Sequence, residues 1–184
     1  HILSVALLNW HRRLEDTIDA VALLRNQGYD ISFTVVGNYM NNIEYYDILR
    51  AQIDRLEIGD YVKFIGRVSD RDLIKNYQSH DIFVSASHLQ SWGLTVFEAM
   101  ATGLPSIVSK SSGASHVLAD HKNALLVESK NPHAIASAIR VLIDDASLYK
   151  KLSGQGRKFV EENISWSRYE REMVSIFEQV VRRA

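Results

Sequence analysis

The sequence predicts an α/β domain: a Rossmann-like parallel sheet of about six strands with helices on both faces. Three observations carry this. Short β-branched runs alternate with stretches of helical periodicity about six times along the chain. Glycines stand where these units stop, at Gly28 and Gly37 among others. And 184 residues without a repeat, a low-complexity segment or an internal linker are enough for one well-packed domain and short for two. Strand followed by helix, repeated, is the pattern of a parallel sheet covered on both sides.

The elements follow in order. Ile2, Leu3, Val5 and Leu7 open the chain as a strand, so a segment is expected upstream. Leu14, Ile18, Val21 and Leu24 then repeat at helical spacing. "DISFTVVG" at 30–37 is the second strand. Ile43, Tyr46, Leu49, Ile53 and Leu56 mark an amphipathic helix leading to the strand "VKFIG" at 62–66. Leu73, Ile74 and Tyr77 give a short helix before "DIFVSAS" at 81–87. A helix over 91–103 runs through Gly103-Leu104-Pro105 into "PSIVS", and "NALLV" at 123–127 is the last strand. Asn131 before Pro132 reads as a cap and first helical residue, with Ile135, Ile139 and Leu142 on one face. Ser167 and Glu170 have capping-box spacing ahead of Tyr169, Met173, Ile176, Phe177 and Val180. These terminal helices are expected either to cover the sheet edge or to reach a second domain.

Composition narrows the partners. A net charge of −1 with no obvious basic cluster excludes a polyanion-binding signature, so nucleic acid is not an expected partner. The absence of Cys excludes disulfides and thiolate metal sites and fits a reducing compartment. No apolar run approaches the ~20 residues of a membrane span, and no secretory signal is read, so a cytoplasmic location is expected.

In parallel sheets of this kind ligands sit outside the carboxyl ends of the strands. That selects four loops: "LLNWHRR" (7–13), "VGNYMNN" (36–42), "FIGRVSD" (64–70) and "SASHLQSWGL" (85–94). A helix opening at Gly93-Leu94 offers backbone N–H groups and a positive dipole end to phosphate, and Gly93 lets an anion approach the backbone. Glu98, one to two turns on, is a carboxylate with nothing to gain in a buried helix and is suited to accept hydrogen bonds from sugar hydroxyls. Arg12 and Arg13 can supply countercharge, with Arg13 the better candidate for a plain surface residue.

The order of these segments resembles the C-terminal, donor-binding half of GT-B retaining glycosyltransferases, the large family that includes sucrose synthases and many bacterial polysaccharide transferases. The resemblance covers nearly the whole chain. Its most specific part is the family's pair of glutamates with seven residues between them, the second followed by Ala-Met-Ala-x-Gly-x-Pro. Glu98-Ala99-Met100-Ala101-Thr102-Gly103-Leu104-Pro105 matches the second half, and the first glutamate falls on Gln90. The resemblance implies that Glu98 binds the donor ribose, that Gly93, Leu94 and Thr95 hold the diphosphate or its sugar, and that Gly66 and Arg67 meet the base. Arg12 takes the place of a phosphate-binding Lys, keeping charge and changing geometry. Gln90 would contact the transferred sugar, at the catalytic position.

Departures from the family pattern are as informative. Gln90 keeps one acceptor and loses the charge, a loss of roughly 3 kcal/mol if that charge faced an oxocarbenium-like transition state in a dry site. Leu7 stands where a second basic residue is common, Arg13 where Gly follows the Lys, and His116 at the acid of a Gly-Gly-x-x-Glu stretch, here Ser112-Gly113-Ala114-Ser115-His116. His88 beside Gln90 reads as structural rather than as an acid or base. Asp70-Arg71-Asp72 has a metal-binding form but opens a short helix, where acids favour the dipole. Asn163-Ile164-Ser165 fits a glycosylation acceptor without a secretory context, and no Gly-x-Gly-x-x-Gly follows a strand.

The leading expectation is a single nucleotide-sugar-binding domain, residues 1–184, of a metal-independent retaining glycosyltransferase. Its N-terminal acceptor domain would be absent from this chain. The implied partners are a nucleoside-diphosphate sugar as substrate, with no cofactor, a glycan or glycolipid acceptor, and for the longer protein a peripheral association with the inner face of the membrane. The alternative, favoured by Leu7, Gln90 and His116, is a catalytically degenerate domain of the same fold that binds a nucleotide sugar or a partner. A nucleotide-sugar epimerase of related architecture fits the pattern around Glu98 less well.

Overall fold

The computed structural model describes residues 1–182. Six parallel strands, β1 (Ile2–Val5), β2 (Phe33–Val36), β3 (Val62–Gly66), β4 (Ile82–Ser85), β5 (Ser106–Ser109) and β6 (Leu125–Val127), lie in the order β3-β2-β1-β4-β5-β6. Seven helices accompany them: α1 (Leu14–Asn26), α2 (Ile43–Arg55), α3 (Asp70–Ser79), α4 (Leu94–Ala101), α5 (Pro132–Asp144), α6 (Ala146–Asn163) and α7 (Trp166–Val181). None is long and apolar enough to cross a membrane.

The strands are mostly apolar because they bury both faces, and successive residues feed two different cores. Ile2, Val35, Ile82, Val84 and Ile107 face the core built by α1, α2 and α5. Their neighbours Leu3, Val36, Phe83 and Val108 face Tyr77 of α3, Val96 and Met100 of α4, and Val160 of α6. Strand β3 is the exception. Lys63 and Ile65 are exposed, so this edge strand is covered on one face only.

Four details depart from the sequence expectation. On α2 the buried residues are Tyr45, Leu49, Gln52 and Ile53, while Ile43 is half exposed. The rotation serves Tyr45: its hydroxyl accepts a hydrogen bond from the Leu14 amide (3.0 Å) and donates one to Glu15. No side chain of its own segment caps α1, so a tyrosine from the next helix does. Helix α4 opens at Gly93-Leu94, as the reading of the phosphate seat expects but later than the 91–103 span, because Gly93 takes a left-handed φ of 89° before it. Helix α6, which was not read from the sequence, packs across α4 and α5.

The fourth is α7. Its cap is Ser165, whose hydroxyl accepts from the Arg168 amide, and not Ser167. Helix α6 ends at Asn163, and Ser165 is then the residue with the extended backbone an N-cap requires. The apolar stripe on α7 forms, but Trp166, Tyr169, Ile176, Phe177 and Val180 are all exposed and cover nothing among the described residues. The capping expectation at α5 holds. Asn131 caps α5 through the Ala134 amide (2.9 Å). Ser69 caps α3, where Asp72 is paired with Lys75 (2.8 Å), which together with Ser69 holds its carboxyl below the usual carboxylate range. Asn163 is committed too, its amide oxygen accepting from Arg168 (2.7 Å).

Two glycines give opposite tests of this packing. A Cβ at Gly37 would stand 1.8 Å from the Ala6 carbonyl oxygen, where the loops after β1 and β2 meet. Gly37→Ala is therefore expected to cost about 1–3 kcal/mol through forced backbone movement. A Cβ at Gly154, exposed on α6, meets nothing within 4 Å, and Gly154→Ala should stabilise by about 0.5–1 kcal/mol. Denaturant midpoints followed by circular dichroism check both, and equal midpoints for the two variants would contradict this arrangement of loops.

Candidate functional site

The sheet order reverses between β1 and β4, and there the two strands pair only through Ile2–Ile82 and Leu3–Phe83. Beyond those pairs the Ser4 hydroxyl donates to the Val84 carbonyl (2.6 Å) and the strands feed helices on opposite faces, α1 on one and α4 on the other. Such a switch point leaves a crevice at the carboxyl ends of the strands. Its walls include Ser4, Ser85 and Ser87 from the strand ends, with Arg12, Gln90 and Thr95 from the loops and the first turn of α4.

The loop after β1 is shaped by short-range hydrogen bonds. Asn9 caps a turn at Trp10–Arg12 by accepting from the His11 amide (2.8 Å). Arg13 follows with a left-handed φ of 52°, a conformation that favours glycine. Its guanidinium is held by Glu15 (2.6 Å) and Asp16 (2.7 Å), which offsets that strain and removes Arg13 as a free countercharge. Arg12 is left as the cation of the crevice. It is half-buried, no carboxylate pairs with it among the described residues, and burial lowers its pKa from the usual arginine value without approaching neutrality.

The loop after β4 is clamped from two sides. The His88 amide donates to the His11 carbonyl (2.7 Å), and the His88 ring lies 3.2 Å from the Ser129 hydroxyl, a structural engagement. The Gly113 amide donates to the Gln90 carbonyl (2.8 Å), and a Cβ on Gly113 would collide with the Ser91 carbonyl oxygen at 1.7 Å. The turn that carries His116 thus packs its backbone on this loop, while the His116 side chain is exposed. Gln90 folds its amide over Gly93, where a Cβ would lie 3.2 Å from its Cδ and Nε2. Its Oε1 is buried without a hydrogen-bond partner, as is the hydroxyl of fully buried Ser112, the backbone bridge partner of Gln90. Of the two only Gln90 lines the crevice, and an orphaned polar atom there is uncommon in a folded protein and suits a site that hydrogen-bonds a ligand.

Helix α4 begins at the mouth of this crevice with no side-chain cap. The amides of an uncapped first turn attract anions. Thr95 lines the crevice, Gly93 is buried beneath Gln90, and the Leu94 side chain is exposed at the rim. Glu98 is exposed just over one turn further along and accepts a hydrogen bond from the buried Tyr77 hydroxyl (2.8 Å). Gly66 and Arg67 do not line the crevice but form the adjoining corner. Gly66 has a φ of 72°, its carbonyl accepts from the Gly37 amide (2.9 Å), and Arg67 is exposed. The Tyr39 ring lies beside Gly66 and stacks on Tyr46 at 4.8 Å. Leu7 is exposed just past the end of β1.

The structure therefore brings Arg12, Gln90 and Thr95 together in one crevice, with Gly93 behind the Gln90 amide, Leu94 exposed next to Thr95, Glu98 a turn further along α4 and Gly66–Arg67 on the next corner. Tyr77, Tyr39 and Ser112 were not singled out as site residues from the sequence. Tyr77 sits on an apolar helical period and reads as core. Only an unusual hydroxyl among core positions hinted otherwise.

Known proteins share this fold. The sequence profile of the family described as glycosyl transferases group 1 matches residues 1–159. An uncharacterised glycosyltransferase, MJ1607 of Methanocaldococcus jannaschii, is 27% identical over 176 residues, covering 96% of this chain and 44% of that protein. The crystal structure of a glycosyltransferase from Rickettsia africae matches 100% of this chain and 48% of its own with a TM-score of 0.90 at 22% identity. The Anabaena protein Alr3699/HepE, crystallised with UDP, matches 97% of this chain and 48% of its own with a TM-score of 0.87 at 20% identity. The chain thus spans about half the length of the relatives it matches. With the profile extending from β1 through most of α6, the chain belongs to the group 1 glycosyl transferase family.

Proposed function

We propose that this chain is the donor-binding half of a metal-independent retaining glycosyltransferase that moves a sugar from a nucleoside-diphosphate sugar to a glycan or glycolipid acceptor. One observation carries the reading: the first turn of an uncapped helix, through Thr95, and an unpaired, half-buried arginine both line the β1/β4 crevice. That pairing suits a diphosphate, with the amides of Leu94 and Thr95 on one side and Arg12 on the other. Glu98 then takes the ribose hydroxyls, and the corner at Gly66–Arg67 takes the base. The Anabaena relative, crystallised with UDP and with UDP-glucose, supports the ligand class. Asp70 and Asp72 have no part in this scheme, since Asp72 is spent on Lys75 and Ser69. The acceptor site belongs to a second domain, in the longer protein and at the membrane surface where the acceptor is a lipid.

A second reading, a donor-binding domain without turnover, is favoured by Gln90. Its neutral amide stands where the family carries a charge, with His116 and Leu7 replacing two further polar positions. Both readings place position 90 at the sugar.

Calorimetric titration of this chain with UDP and GDP in the presence of EDTA tests the first reading. Binding of one of them is expected without metal, and Glu98→Ala should weaken it by ~1–3 kcal/mol by deleting hydrogen bonds to a charged acceptor. Equal affinity in the variant removes Glu98 from the site, and binding only with magnesium returns Asp70 and Asp72 to consideration.

Gln90→Glu separates sugar contact from nucleotide contact. Nucleoside diphosphate affinity should stay within about twofold, while transfer and donor hydrolysis by the longer protein change in rate or in sugar preference. A variant matching an active wild type on every donor of a nucleotide-sugar panel would make Gln90 an ordinary loop residue.

A further inference from the structure

Glu98 is an exposed carboxylate, and among the described residues no Lys, Arg or His pairs with it. An unpaired glutamate on a helix surface samples several rotamers, and ordering it on ligand binding has an entropic cost. In this chain one of its oxygens is already committed. Tyr77 is 3% exposed, its ring packs against Phe83 of β4 at 6.1 Å, and its hydroxyl reaches out of the core to Glu98 Oε2 at 2.8 Å. Tyr77 belongs to α3 and Glu98 to α4, so the hydrogen bond crosses between two elements that the sheet holds in place. The core fixes the donor, and the donor fixes the acceptor.

We infer that Tyr77 is a positioning residue for the donor site, its buried hydroxyl holding Glu98 Oε2 so that Oε1 is presented to the ribose hydroxyls of a nucleoside diphosphate. The inference rests on the proposed role of Glu98. A tyrosine suits this task because the phenol supplies one directed O–H and a ring that packs as a core residue. Burial and the adjacent carboxylate push the phenol well above its usual range, so it remains a proton donor throughout the working pH range. A lysine at this place would neutralise the carboxylate and compete with the ribose for it. The phenol orients Glu98 and leaves its charge available.

Tyr77→Phe keeps the ring and deletes the hydroxyl. UDP, GDP and their 2′,3′-dideoxy forms are titrated into wild type, Tyr77→Phe, Glu98→Ala and the double variant, with folding followed by circular dichroism. Tyr77→Phe is expected to weaken binding of the ribonucleotide roughly threefold to tenfold. It should leave the dideoxy form unchanged and add nothing in the Glu98→Ala background. A hydroxyl that only staples α3 to α4 would lower the denaturation midpoint and leave every affinity as it was, which overturns the inference while Glu98→Ala still weakens the ribonucleotide. Equal losses for the ribonucleotide and the dideoxy form would overturn it as well, since the effect would then not pass through the ribose. If Glu98→Ala binds like wild type, the ribose reading of Glu98 itself fails, and with it the reason for Tyr77 to position anything.

Discussion

The short ladder between β1 and β4 is the constraint on which the site depends. Two residue pairs join these central strands, and past them the chain leaves to opposite faces of the sheet. Backbone that is no longer paired to its neighbour strand must find other partners. The Ser4 hydroxyl takes the Val84 carbonyl, the His88 amide takes His11, and the Gly113 amide takes Gln90. These substitutions hold the crevice open and give its loops one conformation. A longer ladder at this point would close the gap in which Arg12, Gln90 and Thr95 meet.

Charge is distributed around the crevice by division of labour. Adjacent arginines in one loop have opposite fates. Arg13 is consumed by Glu15 and Asp16 to hold a left-handed backbone, and Arg12 is thereby turned into the crevice without a carboxylate. Tyr45 belongs to the same device, since it bonds Glu15 and the Leu14 amide at the start of α1. Glu98 forms no ion pair among the described residues and accepts from a phenol instead. The crevice thus has a cation in its wall and an uncompensated carboxylate one turn along the helix that borders it.

The C-terminal helix stands apart from this economy. Trp166, Tyr169, Ile176, Phe177 and Val180 form a stripe with helical period, yet none is buried among the described residues. An amphipathic helix is stable chiefly through what its apolar face packs against. The sequence expectation of a helix that either covers the sheet edge or reaches elsewhere resolves, within this chain, against the sheet edge.

The sequence by itself determined the fold class, five of the seven helices nearly to their ends, all six strands and the neighbourhood of the crevice. The reason is that burial on two faces leaves a strong local signature: apolar runs for strands, a 3.6-residue period for helices, and glycine where the backbone turns left-handed at Gly28, Gly66 and Gly93. The cap of α7 and the rotation of α2 were decided elsewhere, by where α6 stopped and by what the α1 terminus needed from Tyr45. Contacts between elements carry no local signature at all. Only the tertiary structure set the His88 amide on the His11 carbonyl, joined the Gly113 amide to Gln90 and placed the Tyr77 hydroxyl against Glu98. Each of those joins residues more than twenty positions apart, whose distance in space is fixed by the sheet order and the packing of helices on it.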